Sequence, residues 1–393
     1  VASLAESWER VHKAVHQRRL VETAQRLIAV PSPTGSAGEA LDLLAEMMRD
    51  DGFRVERISA GHPAAPAVAV RWDTRQPGRT LQFNAHLDTV HLPFVPPEVV
   101  GPNLTGSGAS DMKGGAAAMI EALRVLRETE MLEGGSILLT AHDLHEAPWG
   151  FGQQLDSLIQ AGIHGDAVLI PEPLCDYLPR IGRGSATWRL ELRRPGPPIH
   201  EVMRPDEPNV IDAGAEVVRR LMQWDRELAS QRHPEAGPAS VFIGQIHAGE
   251  IYNQYPQVLW MEGTRRWLPQ SNVRDVENEF VRVVGEAISS PGLAWDLRFQ
   301  VIRDAFWLDE AHPVVGAFRQ SAEISSGRPL PWGAKPFVDD GNSFCRLAGI
   351  PAITHGPRAG GQHTVREWVS TDDMARVAAV YALTAMQFCP MVC

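Results

Sequence analysis

The sequence predicts an α/β protein in two parts, a domain of alternating strands and helices interrupted by an inserted α+β module. Three observations carry that prediction. The chain has 393 residues, more than a single hydrophobic core usually serves, so two domains are the expected partition. Short β-prone runs bounded by Gly and Pro alternate with helical patterns through the first half. From about Arg183 the texture changes to amphipathic strands with two helices, and after about Val301 the first texture returns. That change sets the expected limits: 1–182 with 302–393 for one domain, and 183–301 for an antiparallel sheet with helices on one face.

The elements follow in order. VASLAESWERVHKAVHQRRL reads as an amphipathic helix with charges throughout, not as a secretory leader. VETAQRLIAV continues helical patterning to a turn at Pro31 to Gly35, and a helix from about Glu39 to Met48 closes at Asp51-Gly52. Strands are predicted at Arg54 to Ile58, Ala67 to Trp72 and Thr80 to Ala85, the last delivering His86-Leu87-Asp88 at its C-terminal end. Strand ends are where α/β folds place chemistry. GSGASDMKGG opens a helix from about Gly115 to Thr129, the strand Ser136 to Ala141 leads into HDLHEAPWGFG, and Ala167 to Ile170 ends on Pro171-Glu172-Pro173. The insertion reads TWRLEL, a helix from Val210 to Trp224, SVFIGQI, VLWMEGTRRW, a helix from Val273 to Ala287, and LRFQVI. A helix at Val314 to Ser325, the segment GIPAITHGP and a helix from Thr371 to Met386 complete the chain.

Composition narrows the function classes. With 44% hydrophobic and 22% charged residues the chain is a folded protein, and its net charge of -11, with both signs interspersed, argues against nucleic acid or an anionic membrane as partner. A small-molecule substrate fits better. No apolar run approaches the roughly 18 to 20 residues that span a bilayer. Cys175, Cys345, Cys389 and Cys393 are scattered without C-x-x-C spacing, so neither a disulfide framework nor a sulfur-ligated zinc site is indicated, and the cytoplasm is the expected compartment.

Five potential metal ligands stand at predicted strand ends or in the turns after them: His86, Asp111, Glu146, Glu172 and His363. Nitrogen and oxygen donors without cysteine suit zinc, cobalt or manganese. A carboxylate shared between two ions, flanked by one His and one carboxylate per ion, leaves room for a bridging water whose pKa the metals would lower. Singly, none of these residues is persuasive, and each reads more readily as a hydrogen-bonded structural group.

Context supplies the rest. IAVPSPTG near the start, NAHLDTV at 84–90, GSGASDMKGG at 106–115, PEP at 171–173, GIPAITHGP at 349–357 and HTVREWVS at 363–370 resemble the aminoacylase and carboxypeptidase family of dinuclear zinc hydrolases, over nearly the whole chain. The resemblance implies a zinc-exopeptidase-like catalytic domain with a mixed sheet flanked by helices, and an inserted lid and dimerisation domain. It implies that His86 and Glu172 bind one ion, Glu146 and His363 the other, with Asp111 bridging and Asp88 orienting a ligand imidazole. A cis peptide at Asp111-Met112 is implied as well. His200 falls where the family has a histidine that reaches a neighbouring subunit's site and stabilises the oxyanion, so a homodimer is implied. Asn253 and Arg266 match positions that contact the carbonyl and a substrate carboxylate. Arg265 is adjacent, and strand alternation turns only one of the two toward the cleft.

The pattern breaks at one place. Where the family has two adjacent glutamates, a general base and a ligand, this chain has His145-Glu146. An imidazole titrates near neutrality and can take a proton and return it, so His145 stands as the expected base. Two other readings stay open: a shifted register in which Asp143 or another carboxylate serves, and a protein whose hydrolysis is lost or altered, leaving a metal- or ligand-binding homologue. His142 is a further imidazole nearby. Lys113 is expected to anchor the local turn, and Asp339-Asp340 lie near the family's substrate-contacting turn with spacing that does not match. The 11 tryptophans, Trp149, Trp267 and Trp368 among them, leave room for an aromatic substrate. The leading expectation is hydrolysis of an amide in an N-acyl amino acid, a short peptide or a similar small molecule, through a hydroxide bridging two metals. Cleavage of a non-peptide C–N bond, as in an aryl amine or amidine, is the alternative.

Overall fold

The computed structural model describes residues 3–203, 208–288 and 292–391; Cys393 lies outside them. In chain order the principal elements are α1 (Leu4–Ala14), α2 (Gln17–Ile28), α3 (Gly38–Asp50), β1 (Arg54–Ile58), β2 (Ala67–Asp73), β3 (Thr80–His86), α4 (Gly114–Thr129), β4 (Ser136–His142), α5 (Gln153–Gln160), β5 (Ala167–Ile170), β6 (Gly184–Arg193), α6 (Val210–Leu228), β7 (Ser240–Ala248), β8 (Val258–Trp267), α7 (Val273–Ala287), β9 (Ala294–Arg303), α8 (Pro313–Ser326), α9 (Asp340–Ser343), β10 (Ala352–Thr354) and α10 (Thr371–Phe388). They group into two compact units. The first comprises residues 1–180, 307–333 and 339–393, and the second comprises 181–306 with 334–338.

The first unit is built on a six-stranded mixed sheet in the order β1-β2-β4-β3-β5-β10. β1, β2 and β4 pair antiparallel, whereas β4, β3, β5 and β10 run parallel. The inner strands read as continuous apolar runs because helices cover them: Phe83, Leu139 and Leu169 are fully buried, and Tyr381 of α10 packs on Phe83 with ring centroids 5.4 Å apart. The parallel pairing aligns the C-terminal ends of β3 and β4, setting His86 beside His142 in register.

Two departures from the sequence reading have local causes. The first twenty residues form two helices rather than one, because Val15 and His16 leave helical backbone. Buried Glu121 of α4 accepts the His16 N–H at 2.9 Å and the Arg19 guanidinium at 2.8 and 2.9 Å, which fixes the break. The additional helix α5 follows the site loop and buries Gln154, Leu155, Leu158 and Ile159.

The second unit is a four-stranded antiparallel sheet in the order β7-β8-β6-β9. Strand alternation turns Trp188, Leu190 and Leu192 toward α6 and α7, whose Val217, Leu221, Trp224, Phe280 and Val284 recur at helical spacing and complete the core. Asn209 and Asn272 start the two helices by accepting the N–H groups of Ile211 and Asp275. Edge strand β7 leaves Phe242 and Ile246 exposed.

Candidate metal centre

The C-terminal ends of β3, β4 and β5 deliver the first components: His86 closes β3, Glu146 lies four residues beyond β4, and Glu172 lies two residues beyond β5. Asp111 belongs to the turn that starts α4. That helix approaches the Pro171-Glu172 turn so closely that a Cβ on Gly115 would lie 2.1 Å from the Pro171 carbonyl oxygen, so only glycine fits there. The turn is held by Glu367, whose Oε2 accepts the backbone N–H groups of Ser110 (3.1 Å) and Asp111 (3.2 Å), and by Lys113, whose buried ammonium donates to the Val30 carbonyl at 2.8 Å. The Asp111–Met112 peptide is cis.

These supports bring five side chains to one place. His86 Nε2 lies 3.1 Å from Asp111 Oδ1 and 3.7 Å from Glu172 Oε1. His363 Nε2 lies 3.4 Å from Asp111 Oδ2 and 3.2 Å from Glu146 Oε2. Asp111 therefore turns one oxygen to each histidine. Beneath His86, Asp88 is fully buried: its Oδ1 is 3.6 Å from His86 Nδ1, and its Oδ2 accepts the backbone N–H groups of His145 and Glu146, both at 3.0 Å. Asp88 thus holds His86 Nδ1 through its backbone carbonyl at 3.0 Å, while its carboxylate pins the loop that carries two further site residues.

His145 stacks on His86 with ring centroids 3.9 Å apart and planes 8° from parallel. Its Nε2 lies 3.8 Å from Glu172 Oε1, and its Nδ1 is 2.8 Å from Asp340 Oδ1. Two groups of donor atoms, His86 with Asp111 and Glu146, and His86 with His145 and Glu172, each fall within 4.8 Å of one another, a spacing a metal ion can bridge.

The electrostatics match a cation site. Burial would push the Asp111 carboxyl up, but hydrogen bonds from His363 and His86 hold it far below the usual range. Glu172 is instead pushed well up, by burial and by the charge of Asp111. His363 is raised to about 10 by its bonds to Asp111 and Glu146. Asp88, despite burial, is held down at about 2 by His86. Glu367, buried against Asp111, rises to about 7. Three carboxylates facing one another are stable as anions only with positive charge between them, and their ionic partners among the described residues are imidazoles. The oxygen and nitrogen donor set fits hard or borderline divalent metals. His86, Asp111, Glu146, Glu172 and His363 would hold such ions.

The remaining residues divide. Asp143 uses both carboxylate oxygens on the backbone N–H groups of Gly35 (2.8 Å) and Ala37 (2.9 Å), which leaves it a structural tie rather than a base. His142 has Nδ1 on the Asp143 carbonyl and Nε2 on Asp340, so neither nitrogen is available to metal. Trp267 is core, 1% exposed with its N–H on Asp304, whereas Trp149 is 42% exposed and stacks on His91 at 4.2 Å. His200, Asn253 and Arg266 belong to the second unit, where Asn253 Nδ2 and His200 Nε2 are 3.1 Å apart on the surface. Arg265 points to the helical face, over Trp224 and 3.6 Å from Glu279, so Arg266 takes the opposite face. Sequence reasoning left Asp340 without a role. The hints were its place in a paired aspartate and its nearness to the family's substrate-contacting turn, while its partners, Asn84, His142 and His145, are distant in sequence.

Residues 82–387 match the family model Peptidase family M20/M25/M40. The chain is 26% identical over 380 residues to a succinyl-diaminopimelate desuccinylase of Rhodospirillum centenum, covering 92% of this chain and 95% of that one, and 25% identical over 383 residues to the same-named protein of Cereibacter sphaeroides, covering 90% and 95%. Its fold matches the aminopeptidase PepT of Bacillus cereus with a TM-score of 0.78 at 20% identity, covering 95% of this chain and 99% of that one. It also matches YxeP of Bacillus subtilis, described as a dinuclear metal-binding peptidase, with a TM-score of 0.69 at 15% identity and coverage of 94% and 97%. The chain is thus a member of Peptidase family M20/M25/M40, a metal-dependent hydrolase of amide C–N bonds.

Proposed function

We propose that the protein cleaves the amide of a small molecule, an N-acyl amino acid or short peptide, with two divalent ions, zinc by preference over cobalt or manganese. His86 and Glu172 would hold one ion, Glu146 and His363 the other, and Asp111 would serve both. The observation that carries this reading is the division of Asp111, with Oδ1 at 3.1 Å from His86 and Oδ2 at 3.4 Å from His363. Such ions supply an acidified water and a polarised carbonyl. Asp88 keeps His86 turned into the site. His145, facing the same carboxylate as His86, takes the proton from the attacking water and returns it to the leaving amine.

In the second unit we assign His200 and Asn253 to the oxyanion, and Arg266 to a substrate carboxylate. Arg266 is partly buried, and no hydrogen bond or ion pair of its guanidinium is found among the described residues, which suits a cation waiting for an anion. A homodimer through β7 is part of the proposal: this edge strand exposes Phe242 and Ile246 beside Ile211 and Met222 of α6. A cytoplasmic location accords with the free cysteines and with the finding that no helix among the described residues is long and apolar enough to cross a membrane.

A screen of N-acyl amino acids and dipeptides against aryl amines and amidines, with zinc or manganese added, tests the reading. The expected products are a carboxylic acid and an amine in equal amounts. Release of ammonia without an acid would instead favour the C–N alternative, for which the exposed Trp149–His91 stack offers a flat surface. Metal content well below two ions per chain after loading would refute the paired site.

A further inference from the structure

Asp340 is fully buried at the start of α9, and three side chains donate to it. Asn84 Nδ2 (2.8 Å) and His142 Nε2 (2.7 Å) reach Oδ2, and His145 Nδ1 (2.8 Å) reaches Oδ1. The direction of the Asn84 bond is fixed by what lies behind it. Gln82 Nε2 donates to Thr140 Oγ1 at 2.7 Å, so the Thr140 hydroxyl donates onward to Asn84 Oδ1 at 2.8 Å. With its oxygen engaged, Asn84 must present its NH2 to Asp340. His142 Nδ1 faces the Asp143 carbonyl at 3.1 Å, an acceptor only, so it donates there; Nε2, 2.7 Å from the buried Asp340 carboxylate, donates to it with the ring as imidazolium. A carboxylate ringed by donors takes a hydrogen from His145 Nδ1 as well. That leaves Nε2, 3.8 Å from Glu172, as the face of the ring directed at the ligand cluster.

We infer that Asp340 is a positioning residue: it holds the Nδ1–H of His145, so that Nε2 is the nitrogen turned toward His86 and Glu172. The inference rests on the reading of His145 as the proton carrier and explains how a histidine can stand where the family resemblance implies a glutamate. An imidazole has two nitrogens, and it accepts a proton at the one facing the site only if the other is held as a donor. Gln82, Thr140 and Asn84 on β3 and β4 align the carboxylate that does so.

Replacement of Asp340 by Asn tests this. Asparagine offers one oxygen where the carboxylate offers two. With Asn84 and His142 still donating on one side, the NH2 group falls opposite His145 Nδ1, which must then accept, and the proton moves to Nε2. Long-range 15N–1H correlation spectra of metal-free protein labelled in histidine, with His145 assigned by its loss in His145→Gln, report the tautomer directly. The expected result is Nδ1–H in the wild type and Nε2–H in Asp340→Asn. With metal loaded, kcat should fall about 10²- to 10⁴-fold, the range of a lost general base, with KM and metal content unchanged. In the His145→Gln background, Asp340→Asn should lower kcat no further. An Nε2–H tautomer in the wild type, or an equal loss of kcat in both backgrounds, overturns the inference. The wild-type spectrum needs neither a folded Asp340 variant nor a known substrate. If the protein cleaves no amide while His145 shows the Nδ1–H tautomer, the proposed function has failed and the positioning has not.

Discussion

The two ends of the ligand cluster differ in how they are held. His86 closes an inner parallel strand, has no exposed surface, and is tied at Nδ1 by Asp88 through a backbone carbonyl at 3.0 Å and a carboxylate at 3.6 Å. His363 lies in a loop at φ 58, its side chain 56% exposed, and its partners among the described residues are Asp111 and Glu146. The first end is shaped before any ion arrives. The second is closed by a residue that solvent reaches, so its histidine must give up rotational freedom on binding. The comparison predicts a tight ion at the His86 end and a weaker one at the His363 end, both sharing Asp111.

Four experiments can break or sharpen that contrast. The largest effect is expected from Asp111→Asn against the two histidine variants: the aspartate variant should lose both ions and at least ~10³-fold in turnover, since the chemistry depends on the activated water. His363→Ala should retain one ion per chain by elemental analysis and His86→Ala fewer. Equal metal content in the two histidine variants would remove the distinction. Next, stepwise chelation of the loaded protein should release the ions in two phases, the first without change in the wild-type spectrum of His86; a single phase argues that the ends are equivalent. Asp88→Asn should weaken metal binding about 10- to 100-fold, as loss of a ligand's supporting carboxylate does elsewhere, and the tighter phase should be the one that shifts.

The smallest effect concerns protons. In metal-free protein His363 is raised from an ordinary 6.5 to about 10 by Asp111 and Glu146, so at pH 8 it is an imidazolium standing where a metal would sit. Its contribution to metal-free stability is complete below pH 6.5 and is lost as pH rises through about 10. Metal binding at pH 8 must displace that proton, so calorimetry in buffers of different ionisation enthalpy should show proton release that vanishes above pH 10. Metal uptake at pH 8 without proton release would contradict the assigned contacts.

Most of the α/β fold could be read along the chain, because its signals are local. Apolar runs of β3, β4 and β5 with Gly and Pro at their ends, and helical spacing in α6 and α7, are contained within each segment. Where a distant residue intervened, the reading failed: Glu121 of α4 breaks the first helix at His16, 105 residues away in sequence. The same division runs through the site. Each of the five ligand candidates sits in its own short motif, and the structure brings them together. Arg265 and Arg266 could be divided by alternation between two faces, but only the contacts with Trp224 and Glu279 say which side each takes.

By itself, then, the sequence determined which residue types stand at the strand ends, and with them a metal-dependent hydrolase with histidine in place of the expected glutamate. What that histidine can do was decided by tertiary structure alone. Its governing partner, Asp340, lies 195 residues further along the chain, and the residues that align Asp340 lie on β3 and β4. A ligand motif is local because the turn after a strand fixes it; a tautomer is not, because it depends on which acceptor the folded chain brings to the far side of the ring.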